Sequence, residues 1–327
     1  MIIIDSPSHN AYYNIASEEY LLQKFPQEEI LLFYINAPSI IIGKFQNTLA
    51  EINLDYVKEN DIKVVRRLSG GGAVYHDLGN LNFSFHTLAS DKDFSDFETF
   101  TTPVVKLLNS LGVPAKLEGR NDLLVDGKKF SGNAKTIKSK KMIQHGTILI
   151  NSEMAVLADA LKVNPLKFVD KAVKSNRARV TNLIDYLPSG TTTASFKQLF
   201  IEEIKSSNEN VQVYEFDQQD MEAIEKLIAE KYSTWEWNFG FSPDYNFKKA
   251  NKVPAGFIEV HLDVHKGIIQ EAKIFGDFFA SNAIEELEGK LVGVKHDQDA
   301  IRSLFYTLDI QSYFGKVTVE EVLEIFK

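Results

Sequence analysis

Arg66-Arg67-Leu68-Ser69-Gly70-Gly71-Gly72-Ala73-Val74-Tyr75-His76-Asp77 concentrates more potential chemistry than any other stretch of this 327-residue chain. Three consecutive glycines leave backbone N–H groups unshielded, so a ligand oxygen can approach them closely. The two arginines before them add fixed positive charge and forked donors suited to carboxylate or phosphate. A β-branched run at 62–65 precedes the glycines and a second strand-like run at 81–85 follows, so the pattern reads as strand, glycine loop, strand. No Lys-Ser or Lys-Thr follows at the spacing of a P-loop. The glycine spacing also differs from a dinucleotide fingerprint, and no helix evidently follows. Taken alone, a glycine triplet is also compatible with a flexible surface loop.

A second polar cluster runs Gly119-Arg120-Asn121-Asp122-Leu123-Leu124-Val125-Asp126-Gly127-Lys128-Lys129-Phe130-Ser131-Gly132-Asn133-Ala134. Asp126-Gly127 is a strong hairpin signal, because Gly accepts positive φ and Asp tolerates it. It predicts strands at 122–125 and 128–131. Side chains alternate along a strand, so Lys128 and Lys129 cannot both enter one pocket. One of them is the solvated lysine that hairpins commonly carry. Gln144-His145-Gly146-Thr147-Ile148-Leu149-Ile150 then predicts another strand with a histidine at its start.

In this order, Arg-Arg-x-Ser-Gly-Gly-Gly-Ala-Val-Tyr-His-Asp, Gly-Arg-Asn-Asp-Leu, Lys-x-Ser-Gly-x-Ala and His-Gly-Thr-Ile-Leu resemble lipoate–protein ligase, of the biotin/lipoate ligase superfamily. Further matches are Asn14-Ile15-Ala16-Ser17-Glu18-Glu19 and Pro38-Ser39-Ile40-Ile41-Ile42-Gly43-Lys44-Phe45-Gln46-Asn47. Arg177-Ala178-Arg179-Val180-Thr181-Asn182-Leu183, Trp235-Glu236-Trp237-Asn238-Phe239-Gly240 and Ile274-Phe275-Gly276-Asp277-Phe278-Phe279 extend the resemblance over nearly the whole chain. Phe130 departs from the more usual Val or Ile, and Gln144 stands where some members carry a second histidine. Neither change removes a charged group.

The resemblance implies an ATP-dependent ligase with Mg²⁺. Lipoate would be activated as lipoyl-AMP and passed to a lysine of apo lipoyl domains of 2-oxoacid dehydrogenase complexes or of glycine cleavage H protein. Charge building on the α-phosphoryl oxygens calls for positioned cations and N–H donors. By resemblance Lys129, at the family's spacing before Ser131-Gly132, is the catalytic cation bridging carboxylate and α-phosphate. Arg67, Gly72, Ala73, Val74, Tyr75, Asn121, Asp122, Arg177 and Arg179 are the expected nucleotide contacts, together with Lys129. Ser69, Gly71, His145 and again Lys129 are the expected lipoate contacts. Segment 167–181 resembles an adenylate-binding loop whose polarity suits a mobile lid. Carrier-to-carrier octanoyl or lipoyl transfer without ATP and a non-catalytic binding module of the same fold are the competing readings. Biotin ligase is a weaker one, since its Gly-Arg-Gly-Arg loop is absent.

These residues need a scaffold. Residues 10–25 predict an amphipathic helix with Ile15, Leu21, Leu22 and Phe25 buried. Strands are expected at 30–34, 40–42 and 62–65, and helices at 98–111, 194–206 and 217–232. A polar stretch at 241–254 marks the preferred boundary, followed by a hairpin at 257–264 and 268–275 and short helices from about 284, 299 and 319. The expected fold is α/β (α+β). A large catalytic domain, 1–245, would hold a mixed sheet with packed helices, and 246–327 would form a small α+β accessory domain.

Composition fits this scaffold. The apolar fraction of 44% and charged fraction of 25% are those of an ordinary globular protein. No apolar run approaches the ~18 residues of a membrane span, and the start carries no secretory pattern, so a cytoplasmic protein is expected, with a monomer as the expected state. With no cysteine, disulfides, thiolate metal sites and cysteine nucleophiles are all excluded on this chain. The net charge of −9 argues against nucleic-acid binding. Residues 116–179 nevertheless carry 14 Lys and Arg against 6 Asp and Glu, a local cationic balance suited to a polyphosphate and an acidic partner. Lys138, Lys140 and Lys141 in that segment are expected on a solvated face.

Overall fold

A computed structural model describes residues 1–46, 48–89, 96–118, 121–138, 140–161, 180–238, 247–265, 268–296 and 298–326. The first strand, β1 (Ile2–Asp5), leads into helix α1 (Ala11–Lys24), which Asn10 caps by accepting from Tyr12 N–H. Then come β2 (Ile30–Tyr34), β3 (Ser39–Ile42), β4 (Lys63–Arg66), β5 (Val74–His76) and β6 (Asn80–Leu88). After helix Glu98–Ser110 follow β7 (Lys116–Glu118), β8 (Asp122–Val125), β9 (Lys128–Lys138) and β10 (Lys141–Leu149). Helices Thr193–Ser207 and Gln218–Leu227 flank β11 (Gln212–Val213).

Strands β11-β1-β2-β6-β10-β9-β8-β7 form one mixed eight-stranded sheet, and β4-β3-β5 form a small second sheet. Alternation along the strands gives the large sheet two distinct faces. Leu31, Phe33, Leu81, Phe83, Phe85 and Ile148 pack beneath helices Glu98–Ser110 and Thr193–Ser207. On the other face Ile4, Ile30 and Leu32 meet α1 and residues Ile224, Ile228 and Tyr232. The register aligns Tyr34, Asn82, Thr147, Gly132 and Asp122 in one lateral row across five strands. Leu32, Ser84, His145 and Ala134 form the next row on the same face. These two rows floor the site.

Helix α1 departs from the amphipathic expectation. Besides Ile15, Leu21 and Leu22 it buries Asn14, Ser17, Glu18 and Glu19, so its polar positions also face inward. The stretch 247–253, expected as part of a linker, is strand β12 (Phe247–Val253), paired with β13 (Gly256–His265) and β14 (Ile268–Gly276). Its exposed lysines blunt a sheet edge, and that charge makes an edge strand look like a loop in sequence. The three-stranded sheet and helices from Ile284–Leu291 onward share one core, which also takes in Phe45. Phe45 stacks on Phe278 with centroids 4.9 Å apart, and Phe45 C=O accepts from Gly276 N–H. Two further positions differ from expectation. His145 sits inside β10 rather than at its start. Lys141 is 1% exposed, with Nζ donating to Phe25 C=O and Glu28 C=O beyond α1, while Lys138 pairs with Glu19.

Candidate functional site

The open face of the large sheet, the glycine loop and residues 154–161 enclose a cavity of about 1300 Å³. Its lining includes Arg67, Gly71 to His76, Asn121, Asp122, Lys129, Gly132, His145, Leu161 and Val180.

The loop is held from behind by its own arginines. Arg66, fully buried, donates to the carbonyls of Gly43, Lys44, Gln46, Trp237 and Asn238 and to Thr48 Oγ1. Arg67 donates to Ser69 Oγ (3.0 Å) and to the carbonyls of Ile41 (3.1 Å), Gly70 (2.7 Å) and Gly72 (2.9 Å). Arg67 is therefore a buried strut as well as a wall residue, not the free loop cation its position in sequence suggested. Gly71 has φ +93°, and a side chain there would meet the Arg67 guanidinium. A Cβ on Gly72 would meet nothing within 4 Å among the described residues, and Gly72 lines the cavity. Among the described residues no acceptor takes the N–H groups of Gly71, Gly72 or Ala73.

One end of the cavity is closed by a chain of hydrogen bonds. Arg67 Nε–H donates to Ser69 Oγ, and the Ser69 hydroxyl meets His145 Nε2 at 2.5 Å. His145 Nδ1 lies 2.8 Å from Glu18 Oε2, and Tyr34 O–H donates to Glu18 Oε1 at 3.1 Å. Burial works to raise the Glu18 pKa, but the charge of His145 and its hydrogen bond outweigh burial and hold the carboxyl below its ordinary value. Ser69, His145 and Glu18 have the spacing of a hydrolytic triad, yet Ser69 is fully buried and off the cavity wall. Of the expected lipoate contacts, Gly71 and His145 line the cavity, and Ser69 stands behind them, bonded to His145.

Lys129 occupies the other end because of a bulge. Leu123 pairs with Ser131 and Leu124 with Lys129, leaving Phe130 as the extra residue, its side chain in the core beneath the sheet. This shift puts Lys129 on the same face as Gly132, whose bare Cα lies under the lysine stem: a Cβ there would stand 3.1 Å from Cε and Nζ. Lys129 Nζ pairs with Asp122 Oδ1 at 2.7 Å. Lys128 is exposed and off the wall. Asn121 and Asn133 bind each other's backbone, Asn121 Nδ2 to Asn133 C=O and Asn133 Nδ2 to Asn121 C=O. Thr181 N–H donates to Lys129 C=O, and Ile52 bridges Leu161. Arg177 and Arg179 lie outside the described residues. From Ala134, opposite His145, back to Lys129 the ladder advances four positions, the bulged Phe130 not counting, about 13 Å at strand rise.

Thus one cavity brings together an apolar wall of Ile15, Tyr34 and Ile41, His145 with Glu18 behind it, glycine-loop amides that no described acceptor takes, and Lys129. That layout suits an acyl chain whose activated carboxyl meets a nucleotide. Sequence reasoning missed Glu18, Tyr34 and Asn82 on this site. The one available signal was the polar Asn14-Glu18 pair at helical i, i+4 spacing.

Comparison with known proteins agrees. Residues 10–205 match the family model described as Lipoyl protein ligase A/B catalytic domain, and 242–326 match Bacterial lipoate protein ligase C-terminus. The chain is 44% identical over 329 residues to Lipoate-protein ligase LplJ of Bacillus subtilis, with 99% of each covered. It is 46% identical over 313 residues to Lipoate–protein ligase 1 of Staphylococcus aureus, with 95% of each covered. Lipoate-bound LipL1 of P. falciparum superposes with a TM-score of 0.82 at 27% identity, covering 99% of this chain and 98% of that one. An ATP-bound lipoate-protein ligase A superposes with a TM-score of 0.62 at 30% identity, covering 73% of this chain and 98% of that one. The chain belongs to the lipoate–protein ligase family.

Proposed function

We propose that this protein activates free lipoate with ATP, releasing pyrophosphate, and transfers the lipoyl group from lipoyl-AMP to a lysine of an apo lipoyl domain. The acyl-transfer alternative uses a carrier thioester, commonly held on a cysteine of the enzyme. This chain has no cysteine to hold such a thioester, which supports activation of the carboxyl by ATP and a noncovalent intermediate. The observation that carries the reading is the joining, in one cavity, of the Glu18–His145 end with the glycine amides and Lys129.

In this reading the lipoyl group lies along Ile15, Tyr34, Ile41 and His145, and its carboxylate reaches Lys129. There the ammonium leaves Asp122 to bridge the carboxylate and the α-phosphate, offsetting the repulsion of two anions. Amides of Gly71 to Ala73 and the wall at Val74, Tyr75 and Asn121 take the nucleotide. Mg²⁺ needs one or two carboxylates beside the phosphates it arrives with, and Asp122 fits that role, where the ion would neutralise phosphate charge. For transfer the acceptor lysine must be neutral, which at a pKa of about 10.4 is roughly one molecule in 2,500 at neutral pH. A cationic, partly dry site raises that fraction. Acceptors are apo lipoyl domains of 2-oxoacid dehydrogenase complexes or H protein, met in the cytoplasm. Residues 1–245 act as the catalytic unit and 246–327 as its accessory.

Purified protein, free lipoate, ATP and Mg²⁺ are expected to lipoylate an apo domain, and thiol alkylation of the enzyme beforehand is expected to leave the rate unchanged. Transfer from an acylated carrier without ATP, at a comparable rate, would overturn the reading.

A further inference from the structure

Three residues of the cavity wall bear a buried polar atom without a hydrogen-bond partner among the described residues: His76 Nε2, Asn82 Oδ1 and Asn133 Oδ1. The asparagine oxygens only accept, and so does a carboxylate. Of the three, only His76 can donate to an acid, and only if its proton sits on Nε2.

A buried relay decides that. Asn14 Nδ2 donates to Ser8 C=O at 2.9 Å, and a carbonyl can only accept, so the Asn14 amide is fixed. Asn14 Nδ2 also donates to Asn36 Oδ1 at 2.8 Å, which turns Asn36 Nδ2 toward His76 Nδ1 at 3.0 Å. An N–H facing Nδ1 needs a lone pair there, leaving the proton on Nε2. Asn14 on α1 and Asn36 in the β2–β3 connection are both fully buried, and neither lines the cavity. With Nδ1 turned to Asn36, the opposite edge of the ring is what His76 offers the cavity. Burial, then Arg67, then His145 lower the His76 pKa to about 3, so the ring stays neutral. The charged and titratable groups around it are Arg67 and His145, with Glu18 behind His145.

We propose that Asn14 and Asn36 are positioning residues that lock His76 as a neutral Nε2–H donor to the carboxylate oxygen that becomes the acyl carbonyl. This rests on the ligase reading. A neutral donor orients the acid without adding a cation to compete with Lys129 for it.

Asn36→Asp keeps the shape and the bond from Asn14 but sets an acceptor against Nδ1. The proton then moves to Nδ1, and Nε2 turns a lone pair on the substrate unless the ring becomes imidazolium. In lipoate-dependent pyrophosphate exchange, N36D is expected to raise the KM for lipoate about tenfold near pH 8, one hydrogen bond to a charged oxygen, with the KM for ATP unchanged. The loss should fade toward about pH 6 as imidazolium forms, a dependence the wild type lacks. A wild-type lipoate KM in N36D at all pH values, or equal losses for lipoate and ATP, overturns the proposal. Nitrogen-15 shifts of His76 in the wild-type protein read the tautomer whether or not N36D folds. Nε2–H is expected, and Nδ1–H in an active enzyme overturns the relay alone. A wild-type protein that binds no lipoate brings down the ligase reading, and the proposal with it.

Discussion

Lys129 and Lys128 differ by one position and by everything the site needs. Lys129→Ala is expected to remove nearly all adenylate formation, while Lys128→Ala, on an exposed side chain, should change it less than twofold. Comparable losses in single-turnover assays of the two variants would contradict the facing that the Phe130 bulge imposes. The glycine loop separates support from contact in the same way. Arg67→Ala strips donors from the buried carbonyls of Ile41, Gly70 and Gly72 and should destabilise the fold by about 3 kcal/mol or more in urea unfolding. A Cβ at Gly72 meets nothing within 4 Å among the described residues, so Gly72→Val should leave the unfolding midpoint within error while blocking ATP use. An unstable Gly72→Val with normal ATP affinity would show that the open side of Gly72 is not the nucleotide's.

At the scale of elements, alternation and turn chemistry made the strands legible, and the Asp126-Gly127 turn has positive φ at both residues, as a two-residue hairpin requires. Alternation could not choose between the two lysines. Counting back from Gly132 by twos selects Lys128, and only the bulge, invisible without the paired strand, reverses the choice. Polar burial was illegible for a related reason: Asn14, Glu18, Lys141 and Arg66 read as surface residues until their partners from distant segments are known. Lys141 illustrates the consequence. Its Nζ serves two carbonyls beyond α1, so Lys141→Glu should lower stability by about 2 kcal/mol and leave the acceptor KM unchanged once folded protein is compared. A salt-dependent rise in acceptor KM with normal stability would restore the docking face that the sequence suggested.

At the scale of the molecule, the buried polar floor sets the acid limit of the fold. Burial lowers His76 and His86 to about 3, helped at His76 by Arg67 and opposed at His86 by Glu18. Both therefore stay neutral when folded and protonate on unfolding below their ordinary value of about 6.5. A depressed folded pKa means stability is complete above about pH 6.5 and falls as the pH drops toward 3, by up to ~1.4 kcal/mol per pH unit for each histidine. Glu18, also held low, adds its loss only below the ordinary carboxylate range. Urea midpoints that stay level from about pH 7 to about pH 5 would place the two rings in contact with solvent. The C-terminal unit presses Phe278 C=O against Gly70 and Phe279 against Phe97, so both cores converge on the loop where the carboxyl must be activated. Activation is the central claim, and exchange of labelled pyrophosphate into ATP, with purified protein and no acceptor domain, reads it most directly. Exchange is expected to require lipoate and Mg²⁺ and to vanish in Lys129→Ala. Acceptor lipoylation that proceeds while no lipoate-dependent exchange can be detected would contradict it.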